Sequence, residues 1–123
     1  MTVASLADAP RFENFGFVFR PLAVPSRGST ELAVWTLEMP PGATGERHTV
    51  SCEEVFVLQA GEVRFEVGDT VPDVAVGDAV IVPPGGSLRL SNPGSSLARL
   101  VVCTSKGILG TIKGKTIVPP WAQ

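Results

Sequence analysis

The stretch Gly42-Ala-Thr-Gly-Glu-Arg-His-Thr-Val-Ser-Cys-Glu-Glu-Val-Phe-Val-Leu-Gln-Ala-Gly61 is the most informative part of this 123-residue chain. Its spacing is Gly42, five residues, His48, one residue, Val50, three residues, Glu54, six residues and Gly61. Side chains two apart on a strand share a face, so positions 48 and 50 point the same way. The stretch therefore indicates two polar side chains, His48 and Glu54, set among apolar positions between turn glycines.

A second stretch, further along the chain, has a comparable pattern. It reads Gly77, five residues, Pro83, one residue, Gly85, two residues, Leu88, three residues and Asn92. The two stretches together resemble the two motifs of the cupin family. This resemblance implies a double-stranded β-helix, which is a jelly-roll barrel of two packed antiparallel sheets.

The metal-dependent members of the cupin family bind one metal ion through four side chains. The resemblance places His48 and Glu54 at two of these positions, while Val50 and Leu88 stand where the other two histidines would be. Non-haem iron needs at least two histidines and a carboxylate, and catalytic zinc needs three protein ligands. We therefore predict no bound metal or other cofactor, with His48 and Glu54 as the remaining ligand positions.

Short β-branched and aromatic runs between glycine and proline turns predict an all-β protein with at most one or two short helices. We expect an N-terminal extension at 1–14, the barrel at 15–105 and a C-terminal tail at 106–123 that packs on the barrel or on a partner subunit. Trp121 follows two prolines in that tail, and we expect it to dock. The predicted strands cover residues 15–23, 31–39, 54–59, 63–67, 71–76, 78–82, 87–92 and 96–103.

Charge and the length of apolar runs argue against nucleic acid and membranes as partners. The net charge is −2 and no run of basic residues occurs, so we expect no nucleic acid partner. No apolar run approaches the ~18 residues that cross a membrane, so we expect no membrane association. The N-terminus shows no signal peptide pattern and only two cysteines occur, Cys52 and Cys103, which favours the cytoplasm. The sequence leaves open whether these two cysteines form a disulfide.

Cys52 lies between His48 and Glu54 and offers a possible third metal ligand, because a thiolate binds zinc well. The preferred interpretation is that Cys52 is a small turn residue facing away from the barrel interior. Without a metal, an ionised Glu54 in an apolar barrel has to be paired, protonated or hydrated. We expect His48, the only histidine, to pair with it, which would raise the pKa of the imidazole.

These residues lead to three hypotheses about function. The first is a small-molecule-binding cupin whose pocket, formed by His48, Val50, Glu54 and Leu88, takes an apolar or aromatic ligand in an accessory role in small-molecule metabolism. The second is a metal-free isomerase or cyclase that uses His48 and Glu54 as a catalytic acid–base dyad. The third is a metal-dependent dioxygenase or isomerase with a reduced ligand set. The resemblance also implies a homodimer.

Overall fold

Two antiparallel sheets make up the protein in the computed structural model, which describes all residues from Met1 to Gln123. Only two short 3-10 turns interrupt the β-structure, at Pro25–Arg27 and Pro120–Ala122. The predicted all-β double-stranded β-helix is therefore confirmed. In chain order the strands are β1 (Phe12–Asn14), β2 (Phe17–Pro21), β3 (Leu32–Met39), β4 (His48–Val50), β5 (Glu54–Ala60), β6 (Arg64–Val67), β7 (Ala79–Val82), β8 (Ser87–Ser91), β9 (Ala98–Ser105), β10 (Gly110–Ile112) and β11 (Lys115–Ile117).

The larger sheet has the strand order β1-β2-β3-β9-β5-β7, and the smaller sheet has the order β11-β10-β4-β8-β6. Alternation of side chains decides which face of each strand is buried. In β3 every second residue from Ala33 to Met39 is buried, and β9 shows the same alternation from Ala98 to Thr104. The two inner faces pack together and form one core of 20 buried apolar side chains.

The barrel extends beyond the predicted range 15–105 at both ends. Strand β1 pairs with β2, and β10 pairs with β4 and β11, so residues assigned to the extension and to the tail belong to the sheets. Strand β10 was not foreseen because its three residues, Gly110–Ile112, are too few to show a period of two.

One predicted strand, at residues 71–76, is absent. This segment is a loop that joins β6 to β7. Pro72 has no N–H to donate to a ladder, and Val74 packs against the core from the loop instead. The only helical segments are the two three-residue 3-10 turns, so the protein contains no candidate for a membrane-spanning helix.

Gly61 shows why the motif requires glycine at the end of β5. Its φ is +77°, a left-handed conformation that side chains rarely adopt. A Cβ at this position would lie 2.7 Å from the Leu97 carbonyl oxygen and 2.8 Å from the Ala98 Cα. The turn therefore packs directly against the beginning of β9.

Candidate functional site inside the barrel

A cavity of about 120 Å³ lies between the two sheets. Of the 20 residues that line it, 13 are hydrophobic, so an occupant would meet mostly apolar surface. Four lining residues carry polar or charged side chains: Asn14, Glu46, His48 and Glu54.

The structure brings three of the four predicted pocket residues to this cavity. His48 and Val50 line it from β4, and Glu54 lines it from the first position of β5. Leu88 is not among the lining residues. It pairs directly with His48 across the β4–β8 ladder, but its side chain is fully buried in the core. Leu90, two residues further on the same face, lines the cavity instead.

Glu54 is a carboxyl group enclosed in the barrel without a charged partner. Only 5% of the residue is exposed, and its side chain makes no hydrogen bond or ion pair within the protein. Its register partner Thr104 has a hydroxyl, but that hydroxyl donates to the Glu53 carbonyl oxygen at 2.6 Å. Burial disfavours the charged form and raises the pKa of Glu54 to about 7. At neutral pH the side chain is therefore distributed between acid and carboxylate.

His48 does not pair with Glu54, so the predicted dyad contact is wrong for this structure. The two residues belong to opposite sheets, His48 to the smaller and Glu54 to the larger. His48 Nδ1 instead lies 3.1 Å from the Glu46 carbonyl oxygen. Burial lowers the pKa of His48, with the Glu46 contact as a smaller opposing cause, whereas pairing with Glu54 was expected to raise it.

The contact with Glu46 also assigns the tautomer of the neutral imidazole. A carbonyl oxygen only accepts hydrogen bonds, so Nδ1 carries the proton and Nε2 keeps a lone pair. His48 can therefore act as a hydrogen-bond acceptor or as a base through Nε2, while a protonated Glu54 can act as a donor or as an acid.

The side chains do not fit a metal ion of the kind that metal-dependent cupins bind. No group of three or more His, Cys, Asp or Glu side chains is close enough together to hold a metal. Cys52 is not among the residues that line the cavity, and its sulfur lies 3.7 Å from the Ser51 hydroxyl. Both Cys52 and Cys103 are free thiols, so no disulfide joins them.

The C-terminal segment forms a wall of the cavity that sequence reasoning missed. Ile108, Ile112 and Ile117 line it, as do Pro119 and Trp121. The Trp121 ring stacks on Phe19 of β2, with ring centroids 3.8 Å apart and an interplanar angle of 9°. The aromatic residue after two prolines was the only signal of this wall in the sequence, and it indicated docking but not the cavity.

The raised pKa of Glu54 predicts a characteristic dependence of stability on pH. The unfolded chain loses this proton near pH 4.5, whereas the folded protein keeps it until about pH 7. Glu54 therefore stabilises the fold most below pH 4.5, and this contribution falls by about 3 kcal/mol as the pH rises to 7. His48 has the opposite sign, because its lowered pKa favours the fold above pH 6.5.

Glu54→Gln isolates the Glu54 contribution, because glutamine keeps the shape and does not titrate. We expect the free energy of unfolding of this variant, relative to wild type, to rise between pH 4.5 and pH 7 by about 3 kcal/mol in urea titrations. Glu53→Gln, at the exposed neighbouring position, is the matched control and should show no such trend. If the free energies of unfolding of all three proteins changed with pH in parallel, the raised pKa of Glu54 would be contradicted.

Ligand count predicts that the wild type copurifies with far less than one equivalent of transition metal by elemental analysis, because two donors are too few. Val50→His places a second imidazole on the cavity wall that also carries His48 and Glu54, and it should increase the metal content. A stoichiometric metal in the wild type that is lost in both His48→Ala and Cys52→Ala would instead support the reduced ligand set.

Comparison with known proteins agrees with the fold. The family model described as a cupin domain matches residues 35–104, and no curated protein matches the sequence. The polyketide cyclase RemF from Streptomyces resistomycificus has a similar structure, with a TM-score of 0.74 and 17% identity over 85% of this chain and 79% of that chain.

Two further solved structures are similar at comparable levels. An RmlC-like cupin from Shewanella frigidimarina has a TM-score of 0.72 and 19% identity, covering 84% of this chain and 88% of that chain. A sugar phosphate isomerase of the cupin superfamily from Silicibacter pomeroyi has a TM-score of 0.72 and 15% identity, covering 91% and 82%. At these identities the solved structures support the fold alone. Because the family model covers more than half of the sequence, the chain belongs to the cupin family.

Proposed function

We propose that this cupin binds a small apolar or aromatic molecule inside its barrel and has a binding or accessory role in small-molecule metabolism. The observation that carries this proposal is the cavity, whose wall is mostly hydrophobic and whose few polar groups include the buried Glu54 and the half-buried His48. Small-molecule sites typically combine an apolar wall with a few polar groups that orient the ligand.

The size of the cavity limits the ligand. At about 120 Å³ it is close to an engineered protein cavity of about 150 Å³ that binds benzene. One aromatic ring, or a ring with a short substituent, suits this space. A larger ligand would require displacement of the C-terminal wall, where Trp121 is held by its stack on Phe19.

A pair of valine-to-phenylalanine variants tests the proposal. Val50 lines the cavity, whereas Val57 lies on β5 at a position that alternates with buried Phe56 and Leu58 and faces away from it. Val50→Phe fills the cavity and should weaken binding of neutral compounds with one aromatic ring by more than about tenfold. Val57→Phe adds the same volume outside and should change affinity less than about twofold.

Thermal shift identifies compounds that stabilise the wild type, and calorimetric titration then gives the dissociation constants for both variants. A wild type that no such compound stabilises would contradict the proposal. Equal loss of affinity in both variants would also contradict it, because binding would then occur outside the barrel.

The second candidate is a metal-free isomerase or cyclase, and the opposite pKa shifts of Glu54 and His48 favour it. Burial raises the pKa of Glu54 and lowers that of His48, so a carboxylic acid and a neutral imidazole coexist near neutral pH. In a keto–enol conversion, His48 Nε2 would take the proton from the carbon next to a carbonyl. Glu54 would give its proton to the carbonyl oxygen, leaving an imidazolium, a carboxylate and the enol.

Solvent exchange tests this chemistry without knowledge of the natural substrate. If the two groups transfer protons, the wild type should speed deuterium incorporation next to the carbonyl of 1-indanone in D₂O, measured by NMR. Glu54→Gln and His48→Gln should each reduce the enzymatic rate by about 100-fold or more. Glu53→Gln is the control and should leave it unchanged. If the ketone binds but incorporates deuterium no faster than in buffer alone, the binding role stands and the catalytic role is rejected.

A further inference from the structure

The aromatic residues of the chain are concentrated around the cavity. The sequence contains six phenylalanines, two tryptophans and no tyrosine. Six of these residues line the cavity: Phe15, Phe17, Phe19, Trp35, Phe56 and Trp121. Contacts between two aromatic rings stabilise a complex beyond the effect of the apolar area that they bury. The composition of the wall therefore favours an aromatic ring over a saturated ring of the same size.

Phe15 differs from the other five aromatic residues of the wall because it is exposed. It is 45% exposed, whereas the other five are buried or half-buried. Asn14, next to it in the chain, is also exposed and also lines the cavity. The cavity therefore reaches the surface beside the turn that joins β1 to β2.

The backbone of Phe15 has a conformation that does not suit phenylalanine. Asn14 pairs with Phe17, so Phe15 and Gly16 are the two central residues of the turn. Their φ angles are +54° and +79°. Such turns favour asparagine, aspartate or glycine at the first central position, because a bulky side chain is strained there. The requirements of the turn therefore do not explain why this residue is phenylalanine.

The turn that joins β10 to β11 has the same backbone form and provides a comparison. Ile112 pairs with Lys115, and the two central residues, Lys113 and Gly114, have φ angles of +50° and +77°. Apart from glycines, only Lys113 and Phe15 have a positive φ. Lys113 is exposed and is not among the residues that line the cavity. The two turns thus share one conformation, but only the strained residue of the first lies at the cavity.

Backbone strain is tolerated at binding sites, where the strained residue contributes to function. We propose that the ring of Phe15 packs against the aromatic ring of the bound ligand where the cavity opens, so that the barrel selects aromatic compounds over saturated compounds of the same size. This inference rests on the proposed binding function and specifies its ligand class. Phe15 is in this view a specificity-determining residue, and it acts separately from His48 and Glu54.

Matched pairs of neutral compounds test the selectivity: acetophenone against cyclohexyl methyl ketone, and benzyl alcohol against cyclohexylmethanol. Each pair keeps the polar group and replaces the aromatic ring by a saturated ring. Phe15→Leu keeps an apolar side chain and removes the ring. In calorimetric titrations we expect this variant to bind the two aromatic compounds about fivefold more weakly than the wild type, and the two saturated compounds within about twofold of it.

Phe12→Leu is the control for this experiment, because it makes the same substitution in the same hairpin. Phe12 packs against the core and is not among the residues that line the cavity. The preference for the aromatic member of each pair should therefore be the same in Phe12→Leu as in the wild type.

The stability of the ligand-free protein distinguishes a role in binding from a merely structural one. Asparagine tolerates the left-handed conformation, so Phe15→Asn should raise the melting temperature by about 3 °C and weaken binding of acetophenone about fivefold. Lys113→Asn makes the matching change in the other turn. It should also raise the melting temperature and should change the affinity less than about twofold. A fall in the melting temperature of ligand-free Phe15→Asn would show that Phe15 stabilises the barrel, and it would overturn the proposal.

NMR gives a direct readout of the contact. Bound acetophenone should show nuclear Overhauser effects to the ring protons of Phe15, which are identified by their loss in Phe15→Leu. Absence of these effects with acetophenone bound, or equal effects of Phe15→Leu on aromatic and saturated compounds, would overturn the contact and leave the binding role. A wild type that binds the saturated compounds as tightly as the aromatic ones would overturn it as well. Failure of every apolar and aromatic compound to bind would overturn both.

Discussion

The antiparallel pairing of β9 with β3 on one side and β5 on the other is the constraint on which the cavity depends. Strands β3 and β9 pair over their full length, from Leu32–Ser105 to Met39–Ala98. Because side chains alternate, this register places Trp35 and Glu54 on the same inner face. A slip of one residue in β5 would turn Glu54 to the outside and bring Val55 inside. The irregularity between Leu58 and Ala60 lies at the opposite end of β5 from Glu54 and leaves this arrangement intact.

An apolar barrel that retains a carboxyl group has few ways to stabilise it. In metal-dependent cupins a histidine stands at the position of Val50, which here presents an apolar side chain to the cavity. His48 approaches from the opposite sheet, and its Nδ1 contacts the Glu46 carbonyl oxygen. Burial raises the pKa of Glu54 to about 7, so the neutral acid and the carboxylate are both populated at neutral pH. The barrel interior is thus an apolar cavity that contains one buried carboxyl group without a charged partner.

The C-terminal segment connects the barrel to its cavity. The chain returns after β9 to pair β10 with β4, the strand that carries His48 and Val50. Trp121 then reaches the larger sheet and stacks on Phe19. One segment therefore touches both sheets and one wall of the cavity, so its displacement would change both stability and access for a ligand.

The sequence by itself determined the fold class, because turn glycines and alternating apolar residues depend on local geometry alone. It also identified His48, Val50 and Glu54 as cavity residues, since a motif spacing is a property of the chain. Spacing could not show that His48 and Glu54 come from opposite sheets, and therefore the expected pair and its effect on the pKa were wrong.

Only the tertiary structure decided the parts of the site that depend on contacts between distant segments. The role of the 106–123 segment as a cavity wall follows from the pairing of β10 with β4. A strand of three residues is too short to be predicted from alternation of its side chains. The exclusion of Leu88 from the wall and the unpartnered N–H of Trp35 depend on how neighbouring strands pack. A sequence lists donors and acceptors, but packing determines which of them remain without a partner.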